Sequence, residues 1–417
     1  MSERAMRRGA GRVPQRWSRR IATGLLARLD HGTLTIEDDG ARRTFGRLDE
    51  RGPRAALRVH DPSFWSEVLA RGSIGLGDSY ARGLWDSDDL VGVLRVLARN
   101  LQRLTHFTHR AVALRDALTL PVRRLSGPTK TDDRRNVRAH YDLGDEFFDL
   151  FLDPTMAYSS GVYSSSTASL TEASIAKFDR ICRKLALGPE DHVIEIGSGW
   201  GGFALHAAAV HGCRVTTTTI SERQYERARR TVAEAGLSER ITVLNSDYRD
   251  LEGQYSHLVS IEMIEAVDWR MHDAFFAKCS QLLRPDGRAL VQCIVIDDRE
   301  YERSKLGKDF IKEFIFPGGC LPSITALTNA ATRASDLRMV DLEDIGRHYA
   351  QTLSDWRGRL ESHWHDARAL GLDERFLRMW RFYFAYCEAG FLERRVSDVQ
   401  VVFARSGWRG TLGFREL

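Results

Sequence analysis

No stretch of this chain comes near the roughly 18 consecutive apolar residues that a membrane-crossing helix needs, so no spanning helix is expected. The basic start, Met1 to Arg12, is not followed by an apolar segment and does not read as a secretory leader. The 6 cysteines, Cys182, Cys213, Cys279, Cys293, Cys320 and Cys387, are scattered and form no C-x-x-C pair. That spacing argues against a disulfide framework or a zinc knuckle. It points to reduced thiols of a cytosolic protein, with no metal site expected. Internal repeats and low-complexity tracts are missing. Basic residues are not interleaved with aromatics in the manner used for stacking on bases, so nucleic acid is not an expected partner.

What is present is a chain of 417 residues, too long for one average core and enough for two domains. Hydrophobic residues make up 43% and charged residues 28%, which is ordinary globular composition. The net charge of +4 hides an asymmetry. Residues 1–140 hold 27 Lys and Arg against 16 Asp and Glu, whereas the remainder holds 34 against 41. A basic lobe beside an acidic one suggests an anionic partner for the first lobe, such as a membrane surface. The plainer alternative is arginine used for solubility.

Along the chain, residues 1–20 are Arg-rich and expected to be mobile. A helix is predicted over Ile21–Leu29, with short strands at Thr33–Ile36 and Ala55–Val59. Residues 61–86 begin as a helix with Phe64, Val68 and Leu69 on one face, and Gly72, Gly75 and Gly77 are expected to break it. From Leu90 to Leu120, apolar residues at Leu94, Leu97, Leu101, Leu104 and Ala111 recur at helical spacing, with arginines between them. Such a helix suits either a lipid surface or ordinary packing. Leu125–Asp133 reads as a linker. After a helix from Leu170 to Leu185, strands and helices alternate, with strands predicted at Val193–Ile196, Val215–Thr219, Ile241–Leu244, Leu258–Ile261 and Ala289–Ile296. Regular alternation argues for a doubly wound α/β sheet. An aromatic insertion, Asp297 to Ser323, precedes further helical segments and a closing strand at Val399–Ala404.

The chemistry centres on Asp191 to Gln224: a β-rich run, a glycine turn, a helical pattern and a second β-rich run. The glycines let a ligand approach the backbone at a helix N-terminus. Gly197, Gly199 and Gly202 also fit the dinucleotide spacing G-x-G-x-x-G. Two features favour S-adenosylmethionine (SAM) instead. Glu195 lies inside the strand two residues before the first glycine, where SAM methyltransferases carry their acid, and the second strand ends in T-T-I-S-E-R-Q rather than in a lone ribose-binding acid.

H-Y-D-L-G-D-E-F-F with F-L-D-P-T-M-A-Y-S-S-G-V-Y, then I-E-I-G-S-G-W-G-G, S-I-E-M-I-E-A-V and F-Y-F-A-Y-C-E-A-G-F, resemble the cyclopropane-fatty-acid synthase family. That family includes mycolic acid cyclopropane synthases and fatty-acid C-methyltransferases. The resemblance covers about residues 60 to 405 in order. It implies a Rossmann-like class I methyltransferase with a seven-stranded doubly wound sheet at 138–417, a linker at 126–137 and a smaller mixed lipid-binding domain at 1–125. By the same resemblance SAM would touch Tyr158 and Ser159, Glu195 and the Gly197, Gly199 and Gly201 turn, Thr219 and Gln224, with Asp247 and Tyr248 near the adenine. Bicarbonate, the expected catalytic base, would lie among Ser160, Glu265, Gln292, Ile294 and Tyr383. Ser160 stands where a Cys is usual and Gln292 where a His is usual. M-I-E-A-V and I-F-P-G-G look more like the tuberculostearic-type branch, which makes 10-methylene or 10-methyl chains from oleate.

An alkene is a weak nucleophile and the sulfonium methyl of SAM a strong electrophile. Methyl transfer leaves a cation on the acyl chain, so water must be kept out and a base must then remove a proton. Loss from the new methyl closes a cyclopropane; loss after a hydride shift gives an exocyclic methylene. The expected partners are an unsaturated phospholipid in an anionic membrane, reached peripherally from the cytoplasm, and a flavin- or NADPH-dependent reductase if a saturated branch forms. Self-association is left open. The competing readings are a cyclopropane synthase, a methyltransferase of a soluble small molecule, and a SAM-binding lipid sensor without turnover.

Overall fold

The computed structural model describes residues 15–48, 52–106 and 144–411. The chain divides into two compact units, residues 1–118 with 372–389 and residues 119–371 with 390–417. The expected linker at 126–137 lies outside the described residues, as do residues 107–120 of the long helix predicted from Leu90. No helix among the described residues is long and apolar enough to cross a membrane.

The first unit holds a four-stranded sheet in the order β2-β1-β3-β4, with β1 Gly32–Asp38, β2 Ala41–Arg47, β3 Arg54–Val59 and β4 Trp85–Asp86. β1 and β2 form a hairpin closed by Asp39 and Gly40, both at positive φ, the conformation an Asp-Gly hairpin turn demands. β2 carries no strand signal in the sequence because A-R-R-T-F-G-R is polar on both faces and mostly exposed. The first helix runs Gln15–Leu26, earlier than expected, burying Ser18, Ala22 and Leu26 at four-residue spacing. Residues 63–81 are two helices, Ser63–Arg71 and Ser73–Ala81. Only Gly72 breaks the run. Gly75 sits inside the second helix because a Cβ there would stand 2.1 Å from the Glu67 carbonyl oxygen. The next helix, Leu90–Arg99, buries Leu90, Val93, Leu94 and Val96, so its apolar face packs inward rather than onto lipid. It stops at Asn100, whose amide donates to Val96 and His31 carbonyls and accepts from the Asp30 and His31 N–H groups. Tyr80 and Trp85 form this unit's aromatic core with Phe382, from the helix Glu374–Leu392. Arg378 donates to the Tyr80 and Trp85 carbonyls and the Asp86 carboxylate. These contacts draw residues 372–389 into the first unit, whereas the family resemblance places them in the catalytic domain expected at 138–417.

The second unit is a seven-stranded sheet in the order β10-β11-β9-β8-β5-β6-β7. Its strands are β5 His192–Ile196, β6 Arg214–Thr219, β7 Ile241–Asn245, β8 Tyr255–Ile261, β9 Leu283–Ile296, β10 Arg338–Asp344 and β11 Val396–Ala404. β5 to β9 pair in parallel, and β11 runs antiparallel between β9 and β10. Helices Leu170–Lys184 and Gly202–His211 bring Phe178, Ile181, Phe203 and Ala207 into one core cluster with Val193 and Val215 of the sheet. His272–Leu282 and Ile324–Ala334 bring Phe275, Phe276, Leu327 and Ala330 into the other, with Ile194, Leu258 and Val401. This is the Rossmann-like class I methyltransferase arrangement. β10 went unread because R-M-V-D-L-E-D is an edge strand with no fully buried residue. Strand order reverses between β5 and β8, and ligands of open α/β sheets bind outside the strands' carboxyl ends at such a point.

Candidate active site

Gly197, Gly199 and Gly201 leave β5 with φ of +97°, +50° and +95°. A Cβ added at Gly199 would meet nothing within 4 Å, so this side of the turn is open to a ligand. A Cβ at Gly202 would instead stand 2.5 Å from the Thr155 carbonyl oxygen, which makes that glycine a packing residue. Behind the turn Glu195 is 1% exposed and accepts from Thr217 Oγ1 at 2.6 Å. Burial raises its pKa to about 8, against the Thr217 bond and the charge of Lys177. Thr219 donates to Gln224 at 2.8 Å, tying the end of β6 to the helix Glu222–Glu234. Asp247, past β7, is clasped by Arg249 through its backbone N–H, Nε and Nη2. Tyr248 packs on Phe275 with ring centres 5.7 Å apart. These residues frame the switch point and fit SAM: a glycine turn with open space at Gly199, and polar side chains at the ends of β6 and β7.

Tyr158 is set in an aromatic wall, with ring centres 5.5 Å from Phe148, 5.2 Å from Trp356 and 6.5 Å from Phe316. The helix Gly346–Ser362 holds the backbone beneath this wall. Arg359 donates to the Phe151 and Leu152 carbonyls, and Thr352 Oγ1 accepts from Gly161 N. Phe316 comes from the insertion, which is fastened to the site by Cys320 N donating to the Glu265 carbonyl at 2.8 Å.

The acidic centre lies where β8 and β9 end and the antiparallel β11 begins. Glu265 accepts from Ile294 N at 2.5 Å through Oε1, while Oε2 is shut off from solvent without a hydrogen-bond partner. Burial first, then the neighbouring Glu262, raises its pKa to about 8. Gln292 is fully buried; its Nε2 donates to Glu262 and to Asp398, each at 2.9 Å, and its Oε1 accepts from Gln400 at 3.0 Å. Ser160 N donates to Glu262 at 2.8 Å, and the hydroxyl turns away to the Gly161 carbonyl. Ser159 accepts from Lys177 Nζ at 2.5 Å. Burial lowers the Lys177 pKa to about 8, although Glu262, Asp398, Asp153 and Glu195 pull it upward. Asp398 is pushed well above the carboxylate range by burial, then by Glu262 and Glu265, because like charges this close cannot all ionise.

Ser160, Glu265, Gln292 and Ile294 are therefore brought together. Tyr383 belongs to residues 372–389 of the first unit, buried with its ring 5.5 Å from Trp380 and 5.0 Å from Phe384. Sequence reasoning missed Glu262, Asp398, Gln400, Lys177 and Tyr349, whose hydroxyl donates to Glu262 at 2.6 Å. A signal for two of them was there: Asp398 and Gln400 are polar residues two apart inside the apolar strand β11, hence on one face. Among the described residues one grouping of metal-ligating side chains occurs, Cys182, His206 and His211, with ligand atoms within 4.8 Å; His211 is already bonded to Asp179 at 3.1 Å.

The family model for mycolic acid cyclopropane synthetase matches residues 128–401. Tuberculostearic acid methyltransferase UfaA1 of Mycobacterium tuberculosis is 37% identical over 95% of this chain and 91% of its own length. Cyclopropane-fatty-acyl-phospholipid synthase of Escherichia coli (strain K12) is 35% identical over 84% and 88%. A crystal structure of mycolic acid cyclopropane synthase CmaA1, complexed with SAH and CTAB, aligns with a TM-score of 0.61 at 31% identity, covering 65% of this chain and 98% of that one.

Proposed function

Because the chain belongs to the mycolic acid cyclopropane synthetase family of SAM-dependent enzymes of fatty acyl lipids, we propose that it adds a one-carbon unit to the cis double bond of an oleoyl-type phospholipid chain and releases a 10-methylene branch. A separate flavin- or NADPH-dependent reductase would then saturate the branch. The relative UfaA1, by its name a tuberculostearic acid methyltransferase, supports this branch of the family. Access would be peripheral, from the cytoplasmic face of an anionic membrane.

The observation that carries the reading is Glu265: a buried carboxyl anchored through one oxygen, with the other unpartnered. When bound, SAM supplies an electrophilic methyl carbon. The glycine turn admits it, and the wall of Phe148, Tyr158, Phe316 and Trp356 keeps water from the acyl cation, whose charge the ring faces offset. A 1,2-hydride shift from the methylated carbon to its neighbour moves the cation onto the methylated carbon, and Glu265 Oε2 then takes a proton from the new methyl group. The electron pair of the broken C–H bond becomes the exocyclic double bond, and S-adenosylhomocysteine is released. Ring closure is the second reading, since the same base serves it and the Escherichia coli relative is a cyclopropane synthase by name.

Mass spectrometry of lipids from a host that expresses the chain and is fed oleate tests the methyl transfer. The reading expects a new acyl chain one CH2 heavier than oleoyl. An unchanged lipid profile would overturn it and leave a SAM-binding sensor.

A further inference from the structure

Resting on that methyl-transfer reading, we propose that Glu262 is a built-in anion that takes the place expected for bicarbonate, so that turnover needs no bicarbonate. Three of the residues that the family resemblance assigns to a bound bicarbonate already have a donor committed to a side-chain carboxylate. Ser160 N and Gln292 Nε2 donate to Glu262, and Ile294 N donates to Glu265. Tyr349 adds a third donor to Glu262 at 2.6 Å. A bicarbonate placed here would have to displace one of these carboxylates and would bring a further negative charge to three buried carboxyls, Glu262, Glu265 and Asp398, that already cannot all ionise. The residues present do not fit it.

The backbone carries independent support. Glu262 has φ +48°, a conformation that favours glycine and that a long side chain occupies at a cost. Strain of this kind persists where surrounding structure enforces it, and it clusters at functional sites. Here the enforcing contacts are the three hydrogen bonds to the carboxylate. The exchange of the usual His for Gln292 also acquires a reason. An amide keeps both its donor and its acceptor at every pH, so Gln292 links Glu262 and Asp398 on one side to Gln400 on the other. Glu262 is thus a positioning residue. It fixes Ser160 and Gln292, and it neighbours Glu265, the proton acceptor, whose pKa it raises.

The test measures S-adenosylhomocysteine release by the purified full chain on dioleoyl phospholipid vesicles, in buffer scrubbed of carbon dioxide, with and without added bicarbonate. Wild type is expected to turn over equally in both. Glu262→Gly relieves the positive-φ strain and should fold, which SAM binding checks. It is expected to lose at least about 100-fold in scrubbed buffer, the scale of a lost acid–base arrangement, and to recover in part with bicarbonate. Glu262→Gln keeps the shape without the charge; it should stay slow and gain nothing from bicarbonate. Wild-type turnover that falls on scrubbing and returns with bicarbonate would overturn the proposal, as would a Glu262→Gly variant that stays fully active in scrubbed buffer. No release by wild type under any condition would instead contradict the methyl-transfer reading itself.

Discussion

A base is most useful when its pKa lies near the working pH, and Glu265, raised to about 8 by burial and by Glu262, has that property. The sign follows from which form acts. In the proposed reaction the carboxylate accepts the proton, so kcat should rise with pH and level off above about 8. Stability runs the other way. The folded pKa lies above the ordinary 4.5, so the group's contribution is intact below that value and is lost as pH rises through the folded pKa. Glu265→Gln should therefore reduce kcat by at least about 100-fold while leaving SAM affinity unchanged by calorimetry. Its thermal midpoint should exceed that of wild type at alkaline pH and approach it in mild acid. A variant with a wild-type pH–rate curve would remove Glu265 from the chemistry. At this scale the sequence showed Glu265 through its motif, but it could not show Glu262. Two glutamates three residues apart in S-I-E-M-I-E look alike until the backbone turns one to positive φ and aims it at Ser160 and Gln292.

Elements announce themselves when one period dominates. β5 to β9 were legible because short β-rich runs lie between turn residues and helical patterns; the structure adds that the helix Leu170–Lys184 starts in a capping box of Ser169 and Glu172. β2 and β10 were not, since polar edge strands lack a buried face to set the alternation. The glycine turn was legible in full, and the structure divides its labour: Gly199 faces open space while Gly202 is pressed against Thr155. Gly199→Val puts a β-branched side chain into that space at φ +50°. It should abolish SAM binding and cost about 1–2 kcal/mol in backbone strain, with the circular dichroism spectrum kept. Wild-type SAM affinity in this variant would place the cofactor elsewhere.

For the molecule as a whole, charge asymmetry and motif order gave two lobes, but not the return of residues 372–389 to the first. Helical spacing shows that F-L-R-M-W-R-F-Y-F has apolar faces, not which core they enter. Removing residues 1–125 would therefore strip Phe382 of Tyr80 and Trp85, and point changes are the cleaner test of lipid docking. In the helix Gln15–Leu26, Trp17 and Ile21 are 58% and 48% exposed, with Arg16 and Arg20 exposed beside them. Wild type should bind anionic vesicles more weakly as salt rises, because charges are screened over about 10 Å at 0.1 M. Trp17→Ala with Ile21→Ala should weaken binding further at every salt concentration; cosedimentation unchanged by either would rule out this surface. In the proposed reaction a carbon passes from SAM to an acyl alkene and ends in a branch. The most direct measurement is carbon NMR of the lipid formed by the purified chain from dioleoyl phospholipid and SAM labelled with carbon-13 in its methyl group. The label is expected in an exocyclic vinylidene carbon. Label confined to a cyclopropane ring carbon, or missing from the lipid altogether, would contradict the proposed reaction.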